Sequence, residues 1–471
     1  MGADKDIIVA LEFGTSAIRG IAGRRKADGT VQILDIEKEN IANAIQRGVI
    51  YNIDKTTQAI TTIVARLNER LNIRVVRAYV GIGGQSLHTA GNVVSRNMET
   101  KVKITPEIVD NLKDNNLTTQ YSKSRILEVV PQEYIVGNRT VTDPVGIQSE
   151  QIEARFMNVV AKNTLIENIQ KCMRMAKIEI VDMLISPLAL ADALLTDSEK
   201  RSGCAMVDFG AGTTTVAIYN GNLLRHLTVI PLGGNNITDD IATGHQMESD
   251  EAETLKRKRG IAYVAAESDN PQMLPISNDR TISENDLLYI IGARQEEIIA
   301  NVWSHIEPVS DKLLSGIVIT GGAAQLKDMP EAIKHFTQFS KVKAAKSLIT
   351  TADVAAAVTT PQGISIDTLI ALLMHGKDNC VEEPKPDTEF KTDDEEQDLS
   401  DDNMTDFADT SHDEKTDKSV EEAKEKEPAK EEKKKEEEEK ISKPKKPKKP
   451  LSQHIKEMGA ALKKLFSEGN D

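Results

Sequence analysis

The sequence predicts an α/β chain in which one fold is built twice around a shared cleft, with a small inserted domain, a charged tether and a terminal amphipathic helix. Three observations carry this. Ala205–Gly221 reads AMVDFGAGTTTVAIYNG: an apolar run ends on Asp208, a Gly-Ala-Gly turn and threonines follow, and a second apolar run spans Val216–Tyr219. That is the pattern of two strands joined by a tight glycine turn. Far upstream, Ile7–Leu11 ends on Glu12, followed by Phe13-Gly14-Thr15-Ser16 and a further run through Ile18, Ile21 and Ala22. Glu12-Phe13-Gly14 thus lines up with Asp208-Phe209-Gly210, the echo expected of a duplicated fold. Lastly, composition changes sharply after about Val381, where acids and lysines crowd together almost without apolar residues.

The chemistry of the two hairpins follows from their residue types. Glycine lets the backbone approach a ligand closely, and N–H groups of such a turn can cradle phosphate. Asp208 is itself an anion, so its role is to hold magnesium or its waters against phosphate oxygens. An ordinary glycine-rich hairpin is the competing reading of either stretch alone.

Composition narrows the class. With 471 residues there is length for two or more domains, and a formal net charge of -15 argues against general nucleic-acid binding. Cys172, Cys204 and Cys380 form no CxxC and read as reduced thiols, and the eight histidines show no zinc spacing. The N-terminus carries no signal-like apolar run, and no stretch reaches the ~20 apolar residues of a spanning helix. These features predict a cytosolic body.

Taken in order, Ile7–Leu11 is a buried strand, Thr56–Leu71 a helix with Ile60, Ile63, Val64, Leu67 and Leu71 on one face, and Val75–Ile82 a strand. Gly81-Ile82-Gly83-Gly84 is no dinucleotide fingerprint, because Ser86 stands where the last glycine belongs. Thr105-Pro106 opens a helix. Ile126–Val130 and Tyr134–Val136 are strand candidates bracketing Pro131-Gln132-Glu133, inside an insert spanning Gly83–Asn163. Thr164–Ala176 is helical, Ile180–Ile185 a strand, and Leu188–Leu195 a helix after Ser186-Pro187. Beyond the central hairpin come a strand at Leu223–Pro231, a helix from Ile237, and a charged helix at Glu248–Gly260. There Glu253 and Lys256 lie on one face, as a site pair or a solvated ion pair. Ile298–Val309 is helical. Ile317–Ile319 is a buried strand running into Thr320-Gly321-Gly322, either a close-approach point or a plain turn, before a helix start at Ala323–Leu326. Ala352–Val358 and Ile366–Met374 read as the last helices.

The resulting domain expectation is a first lobe at 1–82 and 164–202 with 358–380, the insert at 83–163, a second-lobe core at 203–233 and 312–357, its peripheral subdomain at 234–311, a disordered linker at 381–450, and a terminal helix at 451–471. The linker cannot bury a core. It ends in a polybasic, proline-stiffened run, Lys443–Pro450. Leu451, Ile455, Met458, Leu462, Leu465 and Phe466 then form one helical face, with Lys456, Lys463 and Lys464 beside or opposite it. A basic amphipathic helix after a tether suits an anionic lipid surface, with a partner's groove as the alternative.

Together these motifs resemble the actin/Hsp70/sugar-kinase ATPase superfamily, and within it the FtsA family of bacterial cell-division actin homologues. The resemblance spans Asp6 to about Gly376 plus the terminal helix. It rests on the paired hairpins, on VPQEYIV at Val130–Val136, DPVG at Asp143–Gly146, Arg225-His226, VIPLGG at Val229–Gly234, ITDDIA at Ile237–Ala242, AETLK at Ala252–Lys256, and ITGGAA at Ile319–Ala324. It implies an α/β, duplicated actin-like ATPase fold with two lobes around a nucleotide cleft and a family-type insert involved in filament contacts. ATP and Mg2+ are the implied cofactors. Gly14, Thr15, Ser16 and Arg19 would form the first phosphate loop, and Gly210, Gly212, Thr213 and Thr214 the second. Gly234 would lie near the sugar-phosphate, Glu253, Lys256, Gly321 and Gly322 around the adenosine, and Glu12 and Asp208 at the metal.

Three departures from the family pattern bear on hydrolysis. Glu12 replaces the usual Asp, Ala211 and Thr215 interrupt the second loop's usual GGGT-x-D, and Ser186 stands where a Glu or Gln often orients water. Ser is a poor general base. The late Val354–Gly363 segment also matches poorly. The resemblance therefore implies an ATP-binding protein with weak or no ATPase activity, which polymerises and ties FtsZ, and with it other division proteins, to the cytoplasmic face of the inner membrane at the septum. A working ATPase or kinase of the same fold is the main rival, and a chaperone-like peptide binder is disfavoured for want of a β-rich substrate domain after the core.

Overall fold

The computed structural model describes residues 6–26, 30–41, 43–266, 268–276, 280–350, 352–355, 358 and 365–382. The expected linker beyond Glu382 and the terminal helix, with Leu451, Ile455, Lys456, Met458, Leu462, Lys463, Lys464, Leu465 and Phe466, lie outside the described residues.

The chain opens with a meander, β1 (Ile8–Phe13), β2 (Ala17–Arg25) and β3 (Val31–Asn40). β1 is apolar from Ile8 to Leu11 because both of its faces are covered there, the usual condition of a central strand. A small hairpin, β4 (Ile45–Gln46) and β5 (Val49–Ile50), leads to α1 (Ile53–Leu71). Asn52 caps α1 by accepting from the Lys55 N–H at 2.9 Å, and Ile60, Ile63, Val64 and Leu67 are buried as their spacing predicts. β6 (Arg77–Ile82) returns parallel to β1.

The insert follows: β7 (His88–Lys103), α2 (Pro106–Leu117), β8 (Ser124–Val136), β9 (Arg139–Val141) and β10 (Gln148–Lys162). Thr105 stands at the N-cap of α2 with Pro106 in the first position, although its side chain makes no capping bond. The two strand candidates at Ile126–Val130 and Tyr134–Val136 are one strand. Pro131 is tolerated because the pairing with β10 shifts register between Arg155 and Phe156, and β9 covers only Tyr134–Val136 on the other side.

The first lobe closes with α3 (Asn163–Met175), β11 (Glu179–Ile185), α4 (Ser186–Leu194) and α5 (Asp197–Ser202). Helix α4 begins on Ser186-Pro187 itself. The second lobe repeats the opening meander as β12 (Cys204–Phe209), β13 (Thr214–Asn220) and β14 (Leu223–Ile230). Helices α6 (Gly234–His245) and α7 (Ser249–Arg259), a hairpin of β15 (Met273–Ile276) and β16 (Arg280–Ser283), and α8 (Glu284–Ile306) come next. Helix α6 starts at Gly234 rather than Ile237. The chain ends through β17 (Gly316–Thr320), α9 (Met329–Thr337), β18 (Val342–Ala344), β19 (Asp353–Val354) and α10 (Asp367–His375).

Two late expectations are corrected. Ala323–Leu326 does not begin an α-helix; Ala323–Gln325 is a single 3-10 turn, and the helix starts at Met329. The described residues of Ala352–Val358 are not helical. Asp353 and Val354 instead add a short edge strand to β3, where their backbone groups gain ladder partners.

Strand order supplies the physical form of the duplication. One sheet runs β11-β6-β1-β2-β3-β19 and the other begins β18-β17-β12-β13-β14. In both, the hairpin strand has antiparallel neighbours on one side and two successive parallel strands on the other. The sheets share a core: Leu11, Ile60 and Leu372 belong to the same buried cluster as Met206, Ala217 and Val318. The opposite face of the second sheet packs on α6, α8 and α9 through Ile237, Ile299 and Ile333.

The insert is not a free-standing unit. It interrupts the first lobe in sequence, yet its strands continue the second sheet in the order β14-β7-β10-β8-β9. Thr228 pairs with His88 across the join, the Leu227 N–H donates to Thr89 Oγ1 at 2.9 Å, and Arg225 Nη1 donates to Gln132 Oε1 at 2.9 Å. Gln132 in turn donates to the Leu224 carbonyl at 3.1 Å. Its own small core is built around Leu112, Ile152 and Phe156.

Candidate functional site

The two hairpins that anchor the sequence reading are geometrical copies. The Gly14 N–H donates to the Ala17 carbonyl at 3.1 Å, and the Gly210 N–H donates to the Thr213 carbonyl at 2.9 Å. Each loop therefore has two central residues, Thr15-Ser16 in one and Ala211-Gly212 in the other. They meet: a Cβ on Gly212 would lie 2.7 Å from Thr15 Cγ2, so any side chain there would push the loops apart. Among the described residues, the N–H groups of Thr15, Ser16, Ala211 and Gly212 have no acceptor in the protein. Four free donors on two touching loops make an anion cradle.

Each loop is braced from behind. Thr15 Oγ1 accepts from the Gly48 N–H at 3.2 Å, and the exposed Ser16 accepts the Ile41 N–H on its carbonyl at 3.4 Å. Gly234 and Asn235, at the start of α6, donate their N–H groups to the carbonyls of Gly210 and Ala211 at 3.0 and 2.7 Å. This fastens the helix end to the second loop through the loop's carbonyls. Thr213 is half-buried at the loop's end, whereas Thr214 is fully buried and its hydroxyl donates to the Leu232 carbonyl at 2.9 Å. Thr214 therefore holds the strand's end rather than offering its hydroxyl to the cleft.

The two acids stand at the ends of β1 and β12. Glu12 pairs with Arg19 Nη1 at 3.2 Å, directly across the β1–β2 ladder. Asp208 has no such partner among the described residues. Burial pushes its pKa up to about 7, with the charges of Glu12 and Asp367 adding to the effect and Arg19 opposing it. Gly321 lies against it: at φ +97, a Cβ there would be 2.3 Å from Asp208 Oδ1 and 2.4 Å from the Phe209 carbonyl. Only glycine satisfies both the left-handed backbone and that contact. Beside Gly322 the space is open. Asp208 is thus a carboxylate poised for a cation, with one wall formed by the diglycine turn. Arg19 Nε is buried without an acceptor, a donor likewise poised for an anion.

Glu253 and Lys256 form a buried network rather than a solvated pair. Lys256 Nζ lies 2.5 Å from Glu253 Oε2 and donates to the Gly234 carbonyl at 2.8 Å and Thr238 Oγ1 at 2.7 Å. Thr238 Oγ1 bonds Glu253 at 2.5 Å, and Arg257 Nε donates to its other oxygen at 2.7 Å. Burial alone would raise the Glu253 pKa, but Lys256, Thr238 and Arg257 together hold it down to about 2. With three partners already on its ammonium, Lys256 shapes the wall beside Gly234. Ser186, also buried, packs its Oγ where a Cβ on Gly81 would be, 2.5 Å away.

Sequence reasoning missed three contributors: Thr238, Asp367 and Arg257. Thr238 and Asp367 sit inside ordinary helical runs. Arg257 sits in LKRKR, a charge-rich part of the charged helix in which it does not stand out.

The doubled sheet with its paired loops belongs to the actin-like ATPase fold class. The chain is similar to the solved PilM-PilN type IV pilus biogenesis complex over 78% of its length and 96% of that chain, with a TM-score of 0.55 and 13% identity. The family model described as "Cell division protein FtsA" matches residues 205–363, "SHS2 domain inserted in FTSA" matches 84–160, and "Type IV pilus assembly protein PilM" matches 142–267. Relatives named "Cell division protein FtsA" from Pseudomonas aeruginosa and Bacillus subtilis are 29% and 28% identical. The matches cover 70% and 69% of this chain and 81% and 75% of theirs. The chain belongs to the FtsA family of cell-division proteins. Among the described residues no helix is long and apolar enough to cross a membrane.

The state of Asp208 gives a measurable consequence. Its folded pKa of about 7 lies above the ordinary 3.8, so between those values the folded chain holds a proton that the unfolded chain has released. Stability then falls as pH rises through that window. Asp208→Asn should leave the thermal midpoint of the ligand-free protein nearly unchanged at pH 4 and raise it by several degrees at pH 8. A lower midpoint than wild type at pH 8 would contradict the assignment.

Proposed function

We propose that this protein binds ATP with magnesium, assembles through its actin-like lobes, docks the tubulin-like division protein FtsZ, and ties it to the cytoplasmic face of the inner membrane at the septum, where other division proteins gather. The single observation that carries the nucleotide reading is the contact between the two hairpin loops, with their four free N–H groups. One phosphate chain is reached from both lobes there. Gly14, Thr15, Ser16 and Arg19 serve it from the first lobe, and Gly210, Gly212 and Thr213 from the second, with Thr214 holding the strand behind them. Gly234, Glu253, Lys256, Gly321 and Gly322 border the space left for the nucleoside. Magnesium, when bound, neutralises phosphate oxygens, and the unpaired Asp208 fits it. Glu12, tied to Arg19, contributes from further back.

The same residues favour holding ATP over cleaving it. Thr215 stands opposite Asp208 in the ladder where the family usually has a carboxylate, and the Ser186 hydroxyl is packed against Gly81. Nucleotide then acts as an assembly switch. A working ATPase or kinase is the rival, and steady-state turnover discriminates: slow turnover is expected, whereas fast magnesium-dependent turnover lost on Asp208→Asn would overturn the switch reading.

The membrane role rests on sequence: Leu451–Phe466 presents one apolar face with Lys456, Lys463 and Lys464 nearby, after five lysines in Lys443–Pro450. Such a helix binds anionic lipid by buried apolar area plus charge, and the tether lets the folded part stand off the surface. With vesicles containing anionic lipid, the full chain should float and carry FtsZ with it, while a chain ending at Pro450 should stay at the bottom. Equal flotation of both would remove the anchor.

A further inference from the structure

One cationic side chain of the cleft has no role in the loops just described. Lys38 on β3 lies directly opposite Arg19 on β2, which lies directly opposite Glu12 on β1. Opposed residues of antiparallel neighbours share a face, so Glu12, Arg19 and Lys38 form one cross-strand row of charge. Glu12 is taken by Arg19 at 3.2 Å. That leaves two like charges side by side, an arrangement that is unfavourable unless a further anion joins.

The acids near Lys38 in sequence do not supply one. Strand residues alternate between faces, and Asp35, Glu37 and Glu39 point the other way, toward α1. There Arg70 holds Asp35 and Glu37 at 3.3 and 2.8 Å, and Arg66 holds Glu39 at 2.8 Å. Among the described residues the Lys38 ammonium has neither an ion pair nor a hydrogen bond. Its pKa is lowered by burial first, then by Arg19, then by Arg257, which reaches toward it from α7 of the other lobe. Arg19 adds its acceptor-less Nε to the same row. Lys38 therefore stands near Arg19 and Arg257, which Glu12 and Glu253 already hold, without an acid of its own among the described residues.

We propose that Lys38 is a phosphate-contacting residue of the nucleotide site, with the phosphate chain supplying the anion that the Glu12–Arg19–Lys38 row lacks. This rests on the nucleotide reading above. It extends the binding surface from the two hairpin loops to the third strand of the meander, and it places Arg257 where closure of the second lobe meets the same charge. Binding and lobe approach are then linked, because the ligand removes the repulsion that keeps Lys38 and Arg257 apart.

The test is titration of the full chain with ATP and magnesium, and separately with adenosine, comparing wild type, Lys38→Gln and Lys38→Arg. Lys38→Gln should weaken ATP binding about tenfold, the loss expected of one charge-assisted contact. It should leave adenosine binding unchanged, and Lys38→Arg should restore most of the ATP affinity. Folding of each variant is read from its unfolding transition. If wild type binds ATP and Lys38→Gln binds it equally well, or loses adenosine in the same proportion, the role of Lys38 is overturned while the nucleotide reading stands. If wild type binds no nucleotide, that reading falls and takes this one with it.

Discussion

The structure turns on the place where two glycine hairpins touch. Gly212 leaves no room for a Cβ because Thr15 of the other hairpin is already there. That contact brings the ends of two separate sheets together and places four backbone donors without protein acceptors on the two adjoining loops. Much of the surrounding architecture bears on keeping it. The β4–β5 hairpin holds Thr15 through Gly48, the start of α6 holds the second loop through Gly234 and Asn235, and the shared core fixes the sheets behind them.

Charge around this point is deliberately incomplete. Fully paired clusters elsewhere, such as Glu253 with Lys256, Thr238 and Arg257, are closed networks that shape the walls. At the loops, among the described residues, Asp208 lacks a cation, Arg19 Nε lacks an acceptor, and Lys38 lacks an acid. Buried polar groups normally find partners. Three exceptions in one cleft, one acidic and two basic, match a ligand carrying both an anionic chain and a divalent cation. The cost to the ligand-free fold is the raised Asp208 pKa and the Arg19–Lys38 repulsion, both relieved by one occupant.

The hairpins were legible in the sequence because they combine three signals: an apolar run, an acid at its end, and a glycine turn. Their repetition made the duplication visible before any strand order was known. The insert was not legible in the same way. β7 and β10 are long strands whose polar residues face water, so no apolar run marks them, and Pro131 reads as a break although an irregularity in the ladder absorbs it. Nor does chain order reveal that the insert pairs with the second sheet, because that depends on Thr89, Gln132 and Arg225 meeting residues far away in sequence. The sequence left Glu253 and Lys256 open between a site pair and a solvated pair, since only the folded chain brings the Gly234 carbonyl and Thr238 onto the ammonium. Lys38 was hidden for the opposite reason. Its neighbours Glu37 and Glu39 are acids, and only the alternation of the paired strand sends them to the other face.

The claim that one anion is gripped from both lobes is tested most directly by hydrogen exchange of the full chain with and without ATP and magnesium. The account predicts that ligand slows exchange together at residues 15–16 and 211–212, the loop positions whose amides have no acceptor among the described residues. Protection confined to one loop, or found only elsewhere in the chain, would contradict it.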